Sequence, residues 1–520
     1  MRKPSAISLA TALAFATMFT FSACGGTAST PVPTTPGSNS YNGPGPSGNA
    51  VITAGAASMN ATPAAAPSMP NVLAAQVTIG SITAANADGS TTTILANPAT
   101  VELAHLGSSN TLLDVDPLPQ GTYNSITFTI TAAQVTYLNA GAITTATSNP
   151  PSGTTANLTI PTSSASLTET FSSPVVVNWQ NASDLNLSFD LAQSLSLNGS
   201  TGMVTFAPST SATTPTASVT LAQVASLSAQ QTLLHVNGAV ASTNDTNGTL
   251  ALTTDSGYSA TVGTTSSTVF SGVAGVNALK AGAAARTDAT INADGTLSAL
   301  TVETVDNGAA ETSATAGTAD EGIVTGTAGS GSAMTSFTMV VTNSTNSSLV
   351  GQQITVDVNP GTKPTAFAPD PAAAYVGQSA KLTFDATQIF AGQAVWVAGA
   401  TDVTSTKTNT IVDAAHVNQS PTGLQASIGA VTATVGSDST TDVAYNFPLT
   451  TSFSGFANGS LVAAVAQTCA AVGTGAAPSD CTAANLEGPY LNPINLKALP
   501  PATNTVGVYG FLTQSGGVNN

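Results

Sequence analysis

Side chains able to carry chemistry are few in this chain of 520 residues. The three histidines are His105, His235 and His416. They fall in different predicted units, so a Ser–His–Asp triad would have to cross domains, and no G-x-S-x-G nucleophile elbow occurs. His105 keeps the strand parity of Val101 and Leu103, which favours a strand histidine with satisfied hydrogen bonds, and the other two begin strands. We therefore predict no catalytic residue, no cofactor and no enzymatic activity.

Paired carboxylates are the second set of candidates. Asp114 and Asp116 form a short pair, and Asp184 and Asp190 belong to the same predicted domain. With backbone carbonyls, such carboxylates can form a calcium site, and the alternative is that they are solvated turn residues. Neither an H-E-x-x-H motif nor a D-x-D-x-D-G loop occurs, so the metal status of this pair is left open.

Cys24 ends an apolar run that follows Arg2 and Lys3. The run, from Ala6 to Phe21, is shorter than the roughly 20 apolar residues of a membrane span, which indicates a secretory signal over residues 1–23. Its end, Phe21-Ser22-Ala23-Cys24, resembles a bacterial lipobox. That resemblance implies cleavage before Cys24 and acylation of the new N-terminus. The alternative is an ordinary signal sequence with a chance cysteine.

The other two cysteines are Cys469 and Cys481, which flank a Gly- and Pro-containing loop. If Cys24 carries lipid, they form an even remainder in an oxidising compartment, which favours a disulfide. The alternative is two free thiols. A metal site is disfavoured, because two cysteines without a nearby histidine supply too few ligands.

Residues 24–70 are dense in Pro, Gly, Ser and Thr and show neither strand nor helix periodicity. A segment of this kind buries too little apolar surface to offset its ordering entropy. We predict a disordered, flexible linker that lifts the folded part away from the membrane.

Charged residues make up only 6% of the chain, and the formal net charge is −17. Between Lys3 and Lys280 there is no Lys or Arg. Nucleic-acid binding requires many basic contacts to phosphates, so it is excluded as a function class. Folding of the N-terminal half must depend mainly on apolar burial and backbone hydrogen bonds.

Period-2 patterns broken by Gly, Asn and Asp turns predict an all-β protein. Ile126, Phe128 and Ile130 alternate with polar residues, and a turn is expected at residues 86–89. The single helix-like candidate extends from Ala222 to Leu234.

Residues 71–221 are predicted to form a β-sandwich-like domain. Three segments in or near this range carry a resemblance: VTIGSITAANADGS, VDPLPQGTYNSITFTI and LNLSFDLAQSLSLNGSTGMVTFAP. Together they resemble an uncharacterised family of bacterial lipoprotein domains, the domain of unknown function numbered 4382. The resemblance implies an extracytoplasmic β-sandwich-like domain and assigns no catalytic residue.

The rest of the chain is predicted to hold small β-barrel-like repeats in series, at residues 234–305, 321–418 and 422–520, the last with a Cys-containing insertion. The first repeat resembles a second uncharacterised family, the domain of unknown function numbered 5666. The resemblance depends on Gly238, the turn Asn247–Leu250, Gly282 and the turn Asp294–Leu297. Repeated β-units indicate an extended array rather than one large core.

These features favour a lipid-anchored protein of the cell envelope, attached to the outer membrane and facing the periplasm or the medium. Its β-modules would be structural, adhesive or ligand-binding, and the partner would be a glycan or an envelope protein. Tyr258, Trp179 or Trp396 could stack on a sugar, although a strand tryptophan is more often part of a core. The alternative is an extracytoplasmic hydrolase that uses carboxylates and acts on glycans.

Overall fold

The computed structural model describes residues 50–56, 72–95, 97–106, 110–115, 118–137, 155–158, 160–178, 183–197, 204–209, 219–224, 234–254, 257–292, 295–305, 318–329, 333–361, 364–370, 384–402, 404–406, 409–427, 433–435, 443–448, 461–466, 505–510, 514–515 and 518–519. All of them lie in one structural unit, Pro44–Asn520. They are mostly strand, and the α-helices among them are two of four residues each, Thr162–Ala165 (α1) and Leu191–Ser194 (α2). The prediction of an all-β protein is confirmed.

The N-terminal part contains two sheets. The first consists of β2 (Val72–Asn86), β3 (Thr91–Thr93), β4 (Ala99–Glu102), β6 (Gly121–Tyr137), β7 (Thr155–Asn157) and β8 (Ser166–Val177). Its order is β3–β2–β6–β7, and β4 also pairs with β2 while β8 also pairs with β6. The second includes β1 (Ala50–Ala56), β5 (Asn110–Val115), β9 (Ser183–Phe189) and β12 (Val219–Val224), in the order β12–β9–β1–β5. A hairpin of β10 (Leu195–Leu197) and β11 (Val204–Phe206) follows α2.

One hydrophobic core joins these two sheets. Ile126, Phe128 and Ile130 of β6 are buried in it, as their alternation predicts. The ring of Phe128 meets that of Phe189 in the other sheet edge to face, with centroids 6.2 Å apart. The predicted β-sandwich-like domain is therefore confirmed.

Strand β1 shows that part of the predicted linker is folded. It lies within residues 24–70, yet it pairs with β5 on one side and with β9 on the other. Val51 is 0% exposed and Ile52 is 1% exposed. The apolar pair Val51 and Ile52 among small residues is too short to stand out beside Gly and Pro. The two partner strands of β1 also lie far along the chain. The prediction of a flexible linker is thus wrong for Ala50–Ala56.

The middle part contains six strands, of which five close into a barrel. Its elements are β13 (Leu234–Asn244), β14 (Thr249–Thr253), β15 (Ser259–Gly263), β16 (Val269–Ser271), β17 (Ala284–Ile291) and β18 (Leu297–Glu303). The pairings run β13–β14–β15–β18–β17 and back to β13, with β16 added on β18. Gly248, with φ 63°, forms the predicted turn between β13 and β14.

A second barrel repeats this topology. Its elements are β19 (Thr318–Ala328), β20 (Ser336–Ser344), β21 (Gln353–Asp357), β22 (Ala366–Pro369), β23 (Ala394–Thr401) and β24 (Thr410–Gln419). The pairings run β19–β20–β21–β24–β23 and back to β19, with β22 added on β24. Gly238 and Gly322 share a local requirement, since a Cβ on either would lie 2.3 Å from a backbone oxygen of the neighbouring strand. The prediction of small β-barrel-like repeats in series is confirmed.

The last part contains β25 (Thr422–Ser427), β26 (Ala433–Val435), β27 (Val443–Pro448), β28 (Leu461–Ala466), β29 (Thr505–Gly510), β30 (Gln514–Ser515) and β31 (Val518–Asn519). Among the residues described there, the pairings are β25–β29, β26–β27–β28 and β30–β31. A third barrel therefore stays a prediction.

The predicted helix from Ala222 to Leu234 is wrong at both of its ends. Ala222 lies in β12 and Leu234 begins β13, while residues 225–233 lie outside the described segments. Pairing with β9 and β17 decides the conformation at these ends, and sequence periodicity could not show those partners.

Buried contacts join the sandwich and the two barrels. Strand β13 pairs in parallel with β5, so the sheet of the sandwich continues into the first barrel. Apolar residues of β2 pack against the second barrel in a small cluster: Leu73, Ala74, Ile323, Val340 and Ala394. The side-chain amide of Gln76 also donates to the carbonyl of Val341 at 2.9 Å. These contacts bring side chains from three parts of the chain to one place.

Candidate functional site

Arg286 is the centre of a buried charge cluster. It lies on β17, and apart from Arg2 it is the only arginine of the chain. Its Nη2 is 2.5 Å from Oε2 of Glu303 and also contacts Asp370, while its Nη1 is 3.0 Å from Oε1 of Glu321. A further bond runs from Nη1 to Oγ of Ser420, at 2.6 Å. A planar guanidinium with five donors can serve several acceptors at once, which lysine cannot do in this geometry.

The electrostatics of this cluster favour the charged arginine. Burial by itself lowers the pKa of Arg286, but the negative charges of Glu303, Asp370 and Glu321 outweigh burial and hold the pKa well above its usual range. Arg286 is 6% exposed and Glu303 is 1% exposed. A buried ion group without its counter-charge costs several kcal/mol, so each member needs the others.

The two barrels meet through equivalent residues. In the first barrel, Arg286 pairs with Asn237 on one side and with Glu303 on the other. In the second, Trp396 stands in the same place and pairs with Glu321 and Asn418. Each equivalent pair is in contact, with one member from each barrel.

All three contacts cross from one barrel to the other. The guanidinium carbon of Arg286 is 5.0 Å from the ring centroid of Trp396, a cation–π contact. The Asn237 amide donates to Glu321 at 3.0 Å, and the Asn418 amide donates to Glu303 at 2.7 Å. The same face of each barrel therefore forms the interface, as in a two-fold dimer of repeats.

A cleft of about 150 Å³ opens where the sandwich and both barrels meet. Its polar walls include Glu102 and His105 of the sandwich, His235 and Asn237 of the first barrel, and Glu321 of the second. Nδ1 of His105 is 3.2 Å from Glu102, and Nδ1 of His235 is 2.7 Å from Asp288. Histidines from two predicted units thus line one cleft, which the separation of these units in sequence did not predict.

The histidine predictions are corrected in two further respects. His105 lies beyond the end of β4 and its Nε2 has no hydrogen-bond partner, so it is not the satisfied strand histidine that its parity suggested. His416 lies inside β24 rather than at its start, while His235 does lie at the beginning of β13. Strand pairing sets the bounds of β4 and β24, which explains where His105 and His416 lie relative to these strands.

Only one member of the predicted aspartate pair lies among the described residues. Asp114 is 8% exposed in β5, and its Oδ1 accepts a bond from the backbone N–H of Val115 at 2.8 Å. Asp114 is therefore not a solvated turn residue, whereas Asp116 lies outside the described residues. Asp190 is buried at 7% exposure, next to α2. The calcium site stays a prediction.

Three other carboxylates come together where the sequence analysis named none. One oxygen each of Asp357, Asp402 and Asp413 lies within 4.8 Å of the others, on half-buried side chains. Burial raises the pKa of Asp357, and the charges of Asp413 and Asp402 raise it further. Hydrogen bonds from Thr404 lower the pKa of Asp402. These oxygens could hold a divalent cation, although carboxylates at this spacing also occur without one.

Among the predicted stacking aromatics that the structure describes, Trp396 is covered rather than open. Trp396 is only 5% exposed and is covered by Arg286, so the interpretation of a strand tryptophan as core is the one that fits. The hydroxyl of Tyr258 donates to the carbonyl of Leu112 at 3.2 Å. Trp179, Cys24, Cys469 and Cys481 lie outside the described residues.

A comparison with known protein families finds a match for the sandwich. Residues 65–208 match the family model described as a domain of unknown function, DUF4382. The match covers the strands from β2 to β11 and begins after β1. It supports the family resemblance of the N-terminal domain and does not extend to the barrels. No curated protein sequence and no solved structure matches the chain.

Among the residues that the structure describes, no helix is both long enough and apolar enough to cross a membrane.

Proposed function

We propose that this protein is a lipid-anchored, non-catalytic protein of the cell envelope whose β-modules form a joined scaffold. The observation that carries the proposal is the position of Arg286 at the joint between the two barrels. The strongest ion group described in the chain is buried between two barrels and holds their equivalent faces together. Charged groups at a joint of this kind favour assembly, because Arg286 is already paired with Glu321 and Asp370 of the other barrel.

The joints between modules support the same proposal. Continuation of the sandwich sheet into the first barrel, together with apolar packing of β2 on the second, leaves little freedom for modules to move independently. An anchor at Cys24 would present this assembly from the outer membrane toward the periplasm or the medium. The partner would be a glycan or another envelope protein.

The alternative, a carboxylate-dependent hydrolase of glycans, has less support. The Asp357, Asp402 and Asp413 group lines neither the 150 Å³ cleft nor a second cleft of about 850 Å³ between the two barrels. A glycosidase needs two carboxylates on opposite sides of a bound sugar. We therefore place these carboxylates outside the proposed function.

Replacing Cys24 with Ser tests the anchor. The unmodified chain should incorporate radioactive palmitate and sediment with membranes, whereas Cys24→Ser should lose the label and appear in the soluble fraction. Cys469→Ser is the matched control and should keep both properties, because its thiol is not at the cleavage junction. An unmodified chain that is soluble without detergent would contradict the anchor.

A second measurement tests the non-catalytic part. Purified protein should release no reducing ends from envelope polysaccharide, with or without calcium. Release that disappears in Asp357→Asn would support the hydrolase instead.

A further inference from the structure

A cleft of about 850 Å³ lies between the two barrels. Strands β13, β14 and β17 of the first barrel form one wall, and β19, β20 and β23 of the second barrel form the other. Its volume falls in the range of roughly 300–1,000 Å³ that is typical of small-molecule sites, and such sites occur preferentially at interfaces between domains. The cleft therefore has the size and the position of a ligand site.

The charged side chains in the cleft wall are already paired with each other. Nη1 of Arg286 is 3.0 Å from Oε1 of Glu321, and Oε2 of Glu321 accepts a bond from the Asn237 amide. Arg286 also contacts Glu303 and Asp370, so carboxylates neutralise its guanidinium before any anion arrives. A cation would have to compete with Arg286 for Glu321. The electrostatics of the cleft therefore favour a neutral ligand.

Uncharged polar side chains that solvent can reach line the rest of the cleft. Thr253 and Thr401 are exposed, Asn343 is half-buried, and no hydrogen bond joins these three side chains to another group in the described part of the chain. Oδ1 of the exposed Asn346 accepts from the backbone N–H of Ser348 at 3.2 Å, which leaves the Asn346 amide hydrogens for a ligand. Threonine hydroxyls and asparagine amides both donate and accept, so they match the hydroxyl groups of a sugar.

Strand register brings several of these groups to one place. Glu321 pairs with Trp396 on one side and with Asn343 on the other, so these three side chains form a row on one face of the second barrel. Directly opposite residues in an antiparallel pair have Cβ atoms about 4.5–5.5 Å apart. The first barrel contributes the paired residues Ala239 and Thr253 to the facing wall. Polar groups from both barrels thus line one cleft.

Small apolar side chains keep the cleft open. Ala239, Ala284 and Ala319 line it, and their methyl groups can pack against the C–H faces of a sugar ring. The largest apolar side chain among the described lining residues is Trp396, and Arg286 covers its ring at 5.0 Å. The walls therefore suit a hydroxylated ring better than a large apolar side chain or an acyl chain.

We propose that the cleft between the two barrels binds a short neutral oligosaccharide. The Asn343 amide and the Thr253 hydroxyl bond sugar hydroxyls from opposite walls, and the alanines contact the rings. This inference rests on the glycan partner of the proposed function and adds the place and the charge class of that glycan. It does not depend on the lipid anchor.

Trp396 serves as a reporter, because it lines the cleft and is one of two tryptophans in the chain. Trp179→Phe leaves it as the single tryptophan of the full exported chain. Cellobiose, maltose, mannobiose and N,N′-diacetylchitobiose are titrated in turn, followed by fluorescence and, on the unmodified chain, by calorimetry. At least one of these neutral sugars should bind in a saturable way. No saturable binding by either method would overturn the proposal.

Charged counterparts of the sugar that binds test the predicted neutrality. Its uronate and its amine analogue have nearly the same shape. Each should bind at least roughly tenfold more weakly, because the cleft offers no unpaired counter-charge to a desolvated ion. Equal binding of either counterpart would contradict the assignment of a neutral ligand.

Two pairs of variants locate the binding. Asn343→Ala should lower the affinity about tenfold, which corresponds to about 1.4 kcal/mol. Asn124→Ala removes a half-buried strand asparagine outside the cleft and should leave the affinity unchanged. Ala239→Leu fills the cleft and should abolish binding, whereas Ala251→Leu, half-buried on the neighbouring strand, should preserve it. If both cleft variants bound the sugar as tightly as their controls, the proposal would be wrong.

The anchor experiment and the binding experiment fail separately. A chain that incorporates palmitate but binds no neutral sugar would overturn this inference and leave the anchored scaffold standing. A chain that is soluble without detergent but binds the sugar in this cleft would support the inference and contradict the anchor.

Discussion

Arg286 and Trp396 occupy equivalent positions in two successive barrels, and the guanidinium of the first lies 5.0 Å from the ring centroid of the second. The contact crosses a joint between repeats, and the same joint contains Glu303 and Asn418 in equivalent places. One copy of the repeat therefore supplies an arginine and the other an aromatic ring for it to cover. This difference between copies makes the joint specific.

Replacing Arg286 with Met should strongly destabilise the barrel pair. The change leaves Glu303 and Asp370 buried without a cation, and breaking a buried ion group in this way costs about 3–5 kcal/mol. Urea unfolding followed by tryptophan fluorescence would measure it. Lys280→Met is the matched control, since Lys280 is exposed in the same barrel and should change stability by less than about 0.5 kcal/mol. Equal urea midpoints for the two variants would contradict the stabilising role of Arg286 at the joint.

Asp320 should make the second barrel more stable in mild acid. It is 0% exposed, and burial raises its pKa although Thr318 and Ser344 donate hydrogen bonds to it. The folded state therefore holds the proton more tightly than the unfolded state. The contribution of Asp320 to stability then increases as the pH falls from above its raised pKa toward the unfolded value of about 3.8.

The Asp320→Asn variant isolates this effect, because an amide fills the same space and does not ionise. Its urea midpoint should rise less than that of the unmodified chain between neutral pH and about pH 4. Asp402→Asn serves as the opposite case. The pKa of Asp402 is lowered by Thr404, so its contribution to stability is lost as the pH falls. If the urea midpoint changed equally with pH in Asp320→Asn and in the unmodified chain, the prediction would be wrong.

Strand β1 should be needed for the stability of the sandwich. Ile52→Ala removes a side chain that is 1% exposed and should cost about 2–5 kcal/mol. Val176→Ala is the matched control, because Val176 is 52% exposed and its truncation should cost little. Thermal unfolding would compare the two variants. A fragment that starts at Asn71 would lack β1 altogether and should be less stable than one that starts at Gly48.

Cys469 and Cys481 should be joined in the exported protein. The prediction depends on removal of Cys24 from the thiol count by acylation. Peptide mapping by mass spectrometry without reduction should recover the two cysteines in one linked peptide pair. Loop closure would contribute up to about 3 kcal/mol, so reduction should lower the thermal midpoint. Quantitative alkylation of both thiols in freshly exported protein would show that the prediction is wrong.

Much of the fold could be predicted from local patterns. Alternation along β6 predicted a strand with Ile126 and Phe128 facing a core, because a period of two places every second side chain on one face. Glycine turns at residues 86–89 and 247–250 predicted hairpins, and the positive φ of Gly89 and Gly248 explains why glycine is needed there. The absence of Lys and Arg between Lys3 and Lys280 predicted an N-terminal half without Lys or Arg ion pairs.

The tertiary structure decided which distant residues meet. Strand β1 gains its conformation from pairing with β5 and β9, and neither partner is near it in sequence. His105 and His235 share a cleft because β5 pairs with β13, and Arg286 meets Glu321 because two barrels present equivalent faces. Hydrophobic periodicity reports which face of a strand is buried but not which strand lies beside it. The sequence alone therefore determined strands, turns and charge, while the pairing of strands decided the cleft and the joint.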